Sequence, residues 1–128
     1  MVLAAVVLAA TGCGGDDDDG GGSGAPPVSL TGQVNDHGTK TATAKMEVEL
    51  DDFYFGPTFI KATAGQQITL ELSNEGKEIH TFTMGSVDET LQPGEKKTVT
   101  ITAPQSGSTT FTCKIHVATG MQGAVFVG

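Results

Sequence analysis

From residue 46 onward, apolar and polar side chains take turns along the chain. Met46, Val48 and Leu50 alternate with Glu47 and Glu49, and Ile68, Leu70 and Leu72 alternate with Thr69 and Glu71. Successive side chains of a strand point to opposite faces, so this period marks strands with one face in a core and the other in water. Residues 59–63, 79–84, 98–102, 109–114 and 124–127 are further strand candidates. Turn signals separate them: Gly56-Pro57, Ala64-Gly65, Asn74-Glu75-Gly76, Pro93-Gly94, the run 104–107 and Thr119-Gly120. No segment carries a convincing helical stripe. Short strands at this spacing predict an all-β domain, a sandwich or a barrel.

The pattern does not extend to the N-terminal third. Residues 2–10, VLAAVVLAA, form an apolar run. It is well short of the roughly 20 residues a spanning helix needs, and it suits the core of a signal peptide. The positive charge that usually precedes such a core is missing, so the translated start is expected further upstream. The run leads into Ala10-Thr11-Gly12-Cys13, which resembles a bacterial or archaeal lipoprotein signal, with Ala10 where Leu is more usual. On that reading residues 1–12 are cleaved and Cys13 is acylated. The alternative is an ordinary signal peptide with an incidental Cys. The Gly/Asp spacer that follows, GGDDDDGGGSG, favours lipidation.

Residues 13–45 are rich in Gly, Asp and Thr, too poor in apolar surface to fold alone, and are expected to form a flexible tether. A chain of that length reaches ~30 Å on average. The expected division is therefore signal peptide 1–12, tether 13–45 and folded domain 46–128. The protein should be exported and lipid-anchored to the outer face of the cytoplasmic membrane, at the cell surface or in the periplasm.

The formal net charge is -8, and there is no Arg among the seven basic residues. Half of that charge is the run Asp16 to Asp19, read as a solvated part of the tether rather than a calcium site. Without clustered Lys and Arg, nucleic acid is not an expected partner. Six Phe and one Tyr also leave little for base stacking.

With Cys13 taken by lipid, Cys113 is one thiol left over in an exported protein, and a metal bond would account for it. It opens the segment Cys113-Lys114-Ile115-His116-Val117-Ala118-Thr119-Gly120-Met121, a Cys-x2-His-x4-Met skeleton. His80 lies on an upstream strand candidate. Two imidazoles, one thiolate and a weak thioether are the ligand set of blue copper. Singly, each residue has a plainer reading: Cys113 as a small buried hydrophobe, His116 as a surface side chain, Met121 as core. Together, in this order and spacing, they point to a metal. Met84 shares a strand face with His80 and is a second thioether candidate, with Met121 preferred on spacing. His37 is the competing imidazole, read as solvent-exposed in the tether.

These residues resemble the cupredoxins, in the plastocyanin and pseudoazurin branch, and the resemblance runs from Phe53 to Val127. Phe53-Tyr54-Phe55-Gly56-Pro57, Phe59-Ile60 and Ala64-Gly65-Gln66-Gln67-Ile68 look like the family's second and third strands. Asn74-Glu75-Gly76 looks like its turn toward the first ligand, and Gly120-Met121-Gln122-Gly123 like the approach to its last strand. The resemblance implies a Greek-key β-sandwich over 46–128 and one type 1 copper on His80, Cys113, His116 and Met121. Two features depart from the pattern. His80 and Cys113 are only 33 positions apart, and Thr81 stands where many members place an Asn that braces the Cys loop.

For function, the resemblance implies one-electron transfer with redox partner proteins, by a monomer. A copper storage or delivery protein is the alternative. Met-rich and His-rich tracts, common in copper handling, are absent, which favours electron transfer. An enzyme role is not expected, since a multicopper oxidase or nitrite reductase needs more imidazoles than three His supply.

Overall fold

The computed structural model describes residue 28 and residues 30–128. Ten strands follow in chain order: β1 (Thr39–Thr41), β2 (Lys45–Asp51), β3 (Tyr54–Gly56), β4 (Phe59–Ala62), β5 (Gln67–Asn74), β6 (His80–Met84), β7 (Val87–Leu91), β8 (Lys96–Thr102), β9 (Ser108–Thr112) and β10 (Gln122–Val127). Each segment with a period-two signal becomes a strand. β3 falls in the segment that the family resemblance assigned to a strand, β1 and β7 are additional, and the expected strand at 109–114 stops at Thr112, which leaves Cys113 just past its end.

The strands form two sheets. One runs β1-β4-β10-β9-β6-β7, the other β3-β2-β5-β8. The chain passes repeatedly between them, and the expected all-β Greek-key sandwich is what forms. The pairing is mixed: β2 lies parallel to β5, and both β1 and β10 lie parallel to β4. One seam is thin, because β6 meets β9 through the single register pair Thr83↔Thr112.

The alternating side chains explain the core. Val48 and Leu50 from one strand meet Ile68, Leu70 and Leu72 from the next, all fully buried. Phe55, Phe82 and Phe111 join the sheets: Phe55 stands edge-on to the other two, with centroids 6.0 Å and 4.9 Å away. Period two then sets what lies above them. Phe82 is two residues after His80 and Phe111 two before Cys113, so the strand faces that bury the rings also turn the metal-type side chains inward. Removing one such ring costs about 3–5 kcal/mol.

The boundary expected at residue 46 falls earlier. Val28, Leu30 and Val34 pack on Phe59, Ala124 and Phe126, on the outer side of the first sheet. Gln122 Nε2 donates to the carbonyls of Thr31 (2.7 Å) and Gln33 (2.9 Å), and β1 covers the backbone edge of β4. The part of the expected tether from about residue 30 to 45 is therefore built into the domain. Its apolar residues are few, but they cover rings that would otherwise face water, and β4 supplies its hydrogen bonds. His37 is exposed, as expected, yet it sits on this ordered arm with its ring stacked 3.5 Å from that of Tyr54. Residues 1–12 and Cys13 lie outside the described residues.

Candidate metal centre

His80 is the first residue of β6 and is completely buried. Cys113 follows β9 and is also completely buried. The chain beyond it turns back on itself. His116 N donates to Cys113 O (3.1 Å), Val117–Thr119 make one 3-10 turn, and Gly120 closes it with φ 103°. That angle suits glycine, and a Cβ there would also collide with Asn35. Met121 then returns: its N donates to His116 O (3.3 Å), and its O accepts from Cys113 N (3.1 Å). Met121 is wholly buried, with its backbone fastened to both loop donors. Met84 is four residues along β6 from His80, about 13 Å away at strand rise, and packs in the core, so it is not the thioether of this site.

The donor atoms converge. His80 Nδ1 and His116 Nδ1 are 3.2 Å apart; Cys113 Sγ is 3.5 Å from His116 Nδ1 and 3.9 Å from His80 Nδ1. These ligand atoms all lie within 4.8 Å of one another. Two donors held about 2.0–2.3 Å from one small ion are separated by about this much. Soft sulfur with imidazole suits copper and disfavours hard cations. The cluster of His80, Cys113 and His116, with Met121 beneath the loop, is consistent with one type 1 copper site.

Hydrogen bonds hold the sulfur in place. Thr81 N donates to Cys113 Sγ (3.3 Å), and Lys114 N donates to Thr81 Oγ1 (2.8 Å). Thr81 thus ties the Cys113 loop to β6 through both its N–H and its hydroxyl. Burial pushes the Cys113 thiol up, but the contact with His80 and the N–H groups of Thr81, Ile115 and His116 outweigh it and bring it from 9.0 down to about 6. Burial pushes His80 down, but its hydrogen bonds to Cys113 and Asp52 leave it raised. A thiol poised as thiolate is a prepared metal ligand.

Three contributors escaped sequence reasoning. Asp52 Oδ1 lies 2.7 Å from His80 Nε2. Phe53, beside it in the β2–β3 turn, lays its ring 4.7 Å from that of His116. Asn35, on the N-terminal arm, donates from Nδ2 to the carbonyls of Phe53 (2.8 Å) and Thr119 (2.9 Å), which ties this turn to the ligand loop. The Asp51-Asp52-Phe53 run has no spacing that pairs it with residue 80; only the fold does.

Exposed apolar side chains flank the ligands in sequence: Ile79 precedes His80, and Ile115 and Val117 bracket His116. Phe53, Ile79, Ile115 and Val117 are the exposed large hydrophobic residues among those described, and His116 lies partly exposed between them in sequence and contact.

A family model for the cupredoxin-like domain matches residues 27–127. A stretch of 44 residues is 43% identical to the copper-resistant cuproprotein CopI of Pseudomonas aeruginosa, covering 34% of this chain and 24% of that protein. The chain thus matches about a quarter of that relative's length. Reduced auracyanin from the photosynthetic bacterium Roseiflexus castenholzii superposes with a TM-score of 0.59 at 21% identity, over 68% of this chain and 98% of the other. The metal-binding domain of the Cu(I)-exporting P-type ATPase CopA of Streptococcus pneumoniae, solved with Cu(I), gives the same TM-score of 0.59 at 14% identity, over 72% of this chain and 97% of the other. At these identities the two structures speak for the fold alone.

Proposed function

The chain belongs to the cupredoxin-like family, and from that premise we propose that it carries single electrons on one type 1 copper held by His80, Cys113, His116 and Met121. The observation that carries the reading is the unequal pair of imidazoles around one thiolate. Both present Nδ1 to Cys113 Sγ, yet His80 is sealed in the core while His116 reaches an apolar surface.

Copper bound here would supply the one-electron chemistry. The chain's own residues do the rest. Thr81 N and the loop backbone hold the sulfur, and the Phe55–Phe82–Phe111 cluster keeps water from below. A frame this braced resists rearrangement when the charge of the site changes, which keeps electron exchange fast. His116 then serves as ligand and as the route to the surface. Val117 and Ile115 beside it carry no charge, as brief encounters with a redox partner over a small interface need.

The handover reading, storage or delivery of copper, draws support from the resemblance of one 44-residue stretch to CopI, a copper-resistant cuproprotein. The same donors serve both. The deciding experiment is to add Cu(II) to a fragment spanning residues 28–128, record the visible spectrum and then measure electron self-exchange by NMR line broadening. An intense band near ~600 nm from the thiolate–copper bond with fast exchange supports the carrier; a colourless site, or slow exchange with no rapid reduction by any small-protein donor, favours handover.

For location, the reading is an exported monomer anchored through lipid on Cys13, with residues 1–12 removed and the segment before about residue 28 as tether. Cys13→Ala should release the protein from the membrane fraction or leave it unprocessed. A mutant that fractionates and matures like the wild type would remove the lipid from the proposal.

A further inference from the structure

A buried imidazole that gives one nitrogen to a metal needs a partner for the other. His80 has one. Its Nε2 lies 2.7 Å from Asp52 Oδ1. An ionised carboxylate only accepts, so Nε2 carries the hydrogen and Nδ1 is turned to His116 and Cys113. The same carboxylate takes two backbone donors from the segment leading into β6: Lys77 N to Oδ2 (2.9 Å) and Glu78 N to Oδ1 (3.2 Å). Asp52 therefore fixes both the approach to β6 and the ring on its first residue. Gly76 makes room for this. A Cβ there would collide with the Asp52 carboxylate and stand 3.0 Å from His80 Nε2. The arrangement is one-sided: among the described residues no carboxylate pairs with His116.

We propose that Asp52 is a positioning residue of the metal centre, which orients His80 through Nε2–H and whose negative charge, acting through the ring, favours oxidised over reduced copper at Nδ1. The inference rests on the copper reading above. Its physical basis is short. Cu(II) carries one more positive charge than Cu(I), and a carboxylate hydrogen-bonded to a ligand imidazole makes that ring a stronger donor. Asp52 is only partly exposed, with 23% of its side chain in contact with solvent, so water screens the effect incompletely.

Two measurements test the two halves of the proposal. In the metal-free domain, the His80 Nε2–H signal should be protected from exchange with water. Asp52→Ala should lose that protection, and Asp52→Asn, whose side-chain oxygen still accepts, should keep most of it. An unprotected wild-type proton overturns the positioning role, whether or not the protein binds copper. In the copper-loaded domain, Asp52→Asn should shift the preference for Cu(II) over Cu(I) by about tenfold, which raises the reduction potential by about 59 mV. Glu75→Gln removes an equal charge that does not touch His80 and should move the potential much less. Equal shifts in the two variants overturn the charge effect. Gly76→Ala, which crowds the carboxylate without changing charge, should also expose the His80 proton, and it gives the same readout if Asp52→Ala folds poorly. Wild-type protein that takes up no copper with a blue band sinks the copper reading instead and leaves the metal-free measurement standing.

Discussion

The two imidazoles of the site are held by opposite means. His80 stands on a strand, is sealed in the core, and has its outer nitrogen clamped by Asp52. His116 stands on a loop, is partly exposed, and meets an aromatic ring where His80 meets a carboxylate. One side of the centre is built for rigidity, the other for access. The electron carrier proposed above would need both: a frame that does not move when charge changes, and one edge near the surface for the electron.

The comparison can be broken outright at the residue both halves share. Cys113→Ser should abolish the visible band completely, because the coloured bond is the thiolate one, while Met121→Leu should keep a blue site and raise its potential. A blue Cys113→Ser protein would refute the assignment.

The halves separate at the next level. In His116→Gly the vacated position opens toward solvent, so added imidazole at millimolar concentration should restore much of the band. In His80→Gly the vacated space is sealed and a charged partner is stranded, so imidazole should restore little. Equal rescue of the two variants, read by titration of the visible spectrum, would erase the distinction between them.

A smaller effect is expected at Thr81. Thr81→Val removes the hydroxyl that accepts from Lys114 N but keeps the Thr81 N–H on the sulfur. The loss is about 1 kcal/mol, a fall in Tm of about 4–8 °C for a domain of this size, with only a slight shift of the band. Calorimetry of the metal-free domain would show it; an unchanged Tm would mean that the brace carries no load.

At the metal itself the smallest effect belongs to Val117→Glu. Residue 117 is exposed and not a donor, so the spectrum should not change. Electron exchange should slow severalfold, since a charge must be desolvated at each contact. An unchanged exchange rate would move the electron route away from the His116 edge.

What could be read from the sequence, and what could not, follows from distance along the chain. Cys113, His116 and Met121 lie within one loop, so their spacing alone brings them together. His80 was legible because a turn signal precedes it and Phe82 shares its face. The strands with clear alternation were equally plain. Asp52 was not, because its contact with His80 depends on how β2 and β3 turn beside the start of β6, and no local pattern encodes that. The arm of residues 30–45 reads as tether in the sequence for a different reason. Its few apolar residues look too sparse to fold, and they would be, without the finished face of Phe59, Ala124 and Phe126 to lie on. Asn35 belongs to the same class: polar, half-buried, and meaningful only once the turn at Phe53 and the loop at Thr119 are both in place.

The thin seam between β6 and β9 has a consequence for how the protein breathes. With backbone pairing confined to Thr83 and Thr112, the β6–β7 hairpin is joined to the rest of its sheet near the site mainly by side chains: Thr81 on Cys113 and Lys114, and the donors that face each other across the gap. Local opening follows the weakest joints, so this hairpin is the part of the sheet that should swing out first when the centre is empty. His80 on one side and Cys113 and His116 on the other would hold a bound ion, which would then tie the two strands together where backbone pairing is missing. Loading with copper would therefore also tighten the fold. At a hundredfold excess over its dissociation constant it withholds about 2.7 kcal/mol from any opening that breaks the site, and it does so at the one place where the sandwich is least sewn together.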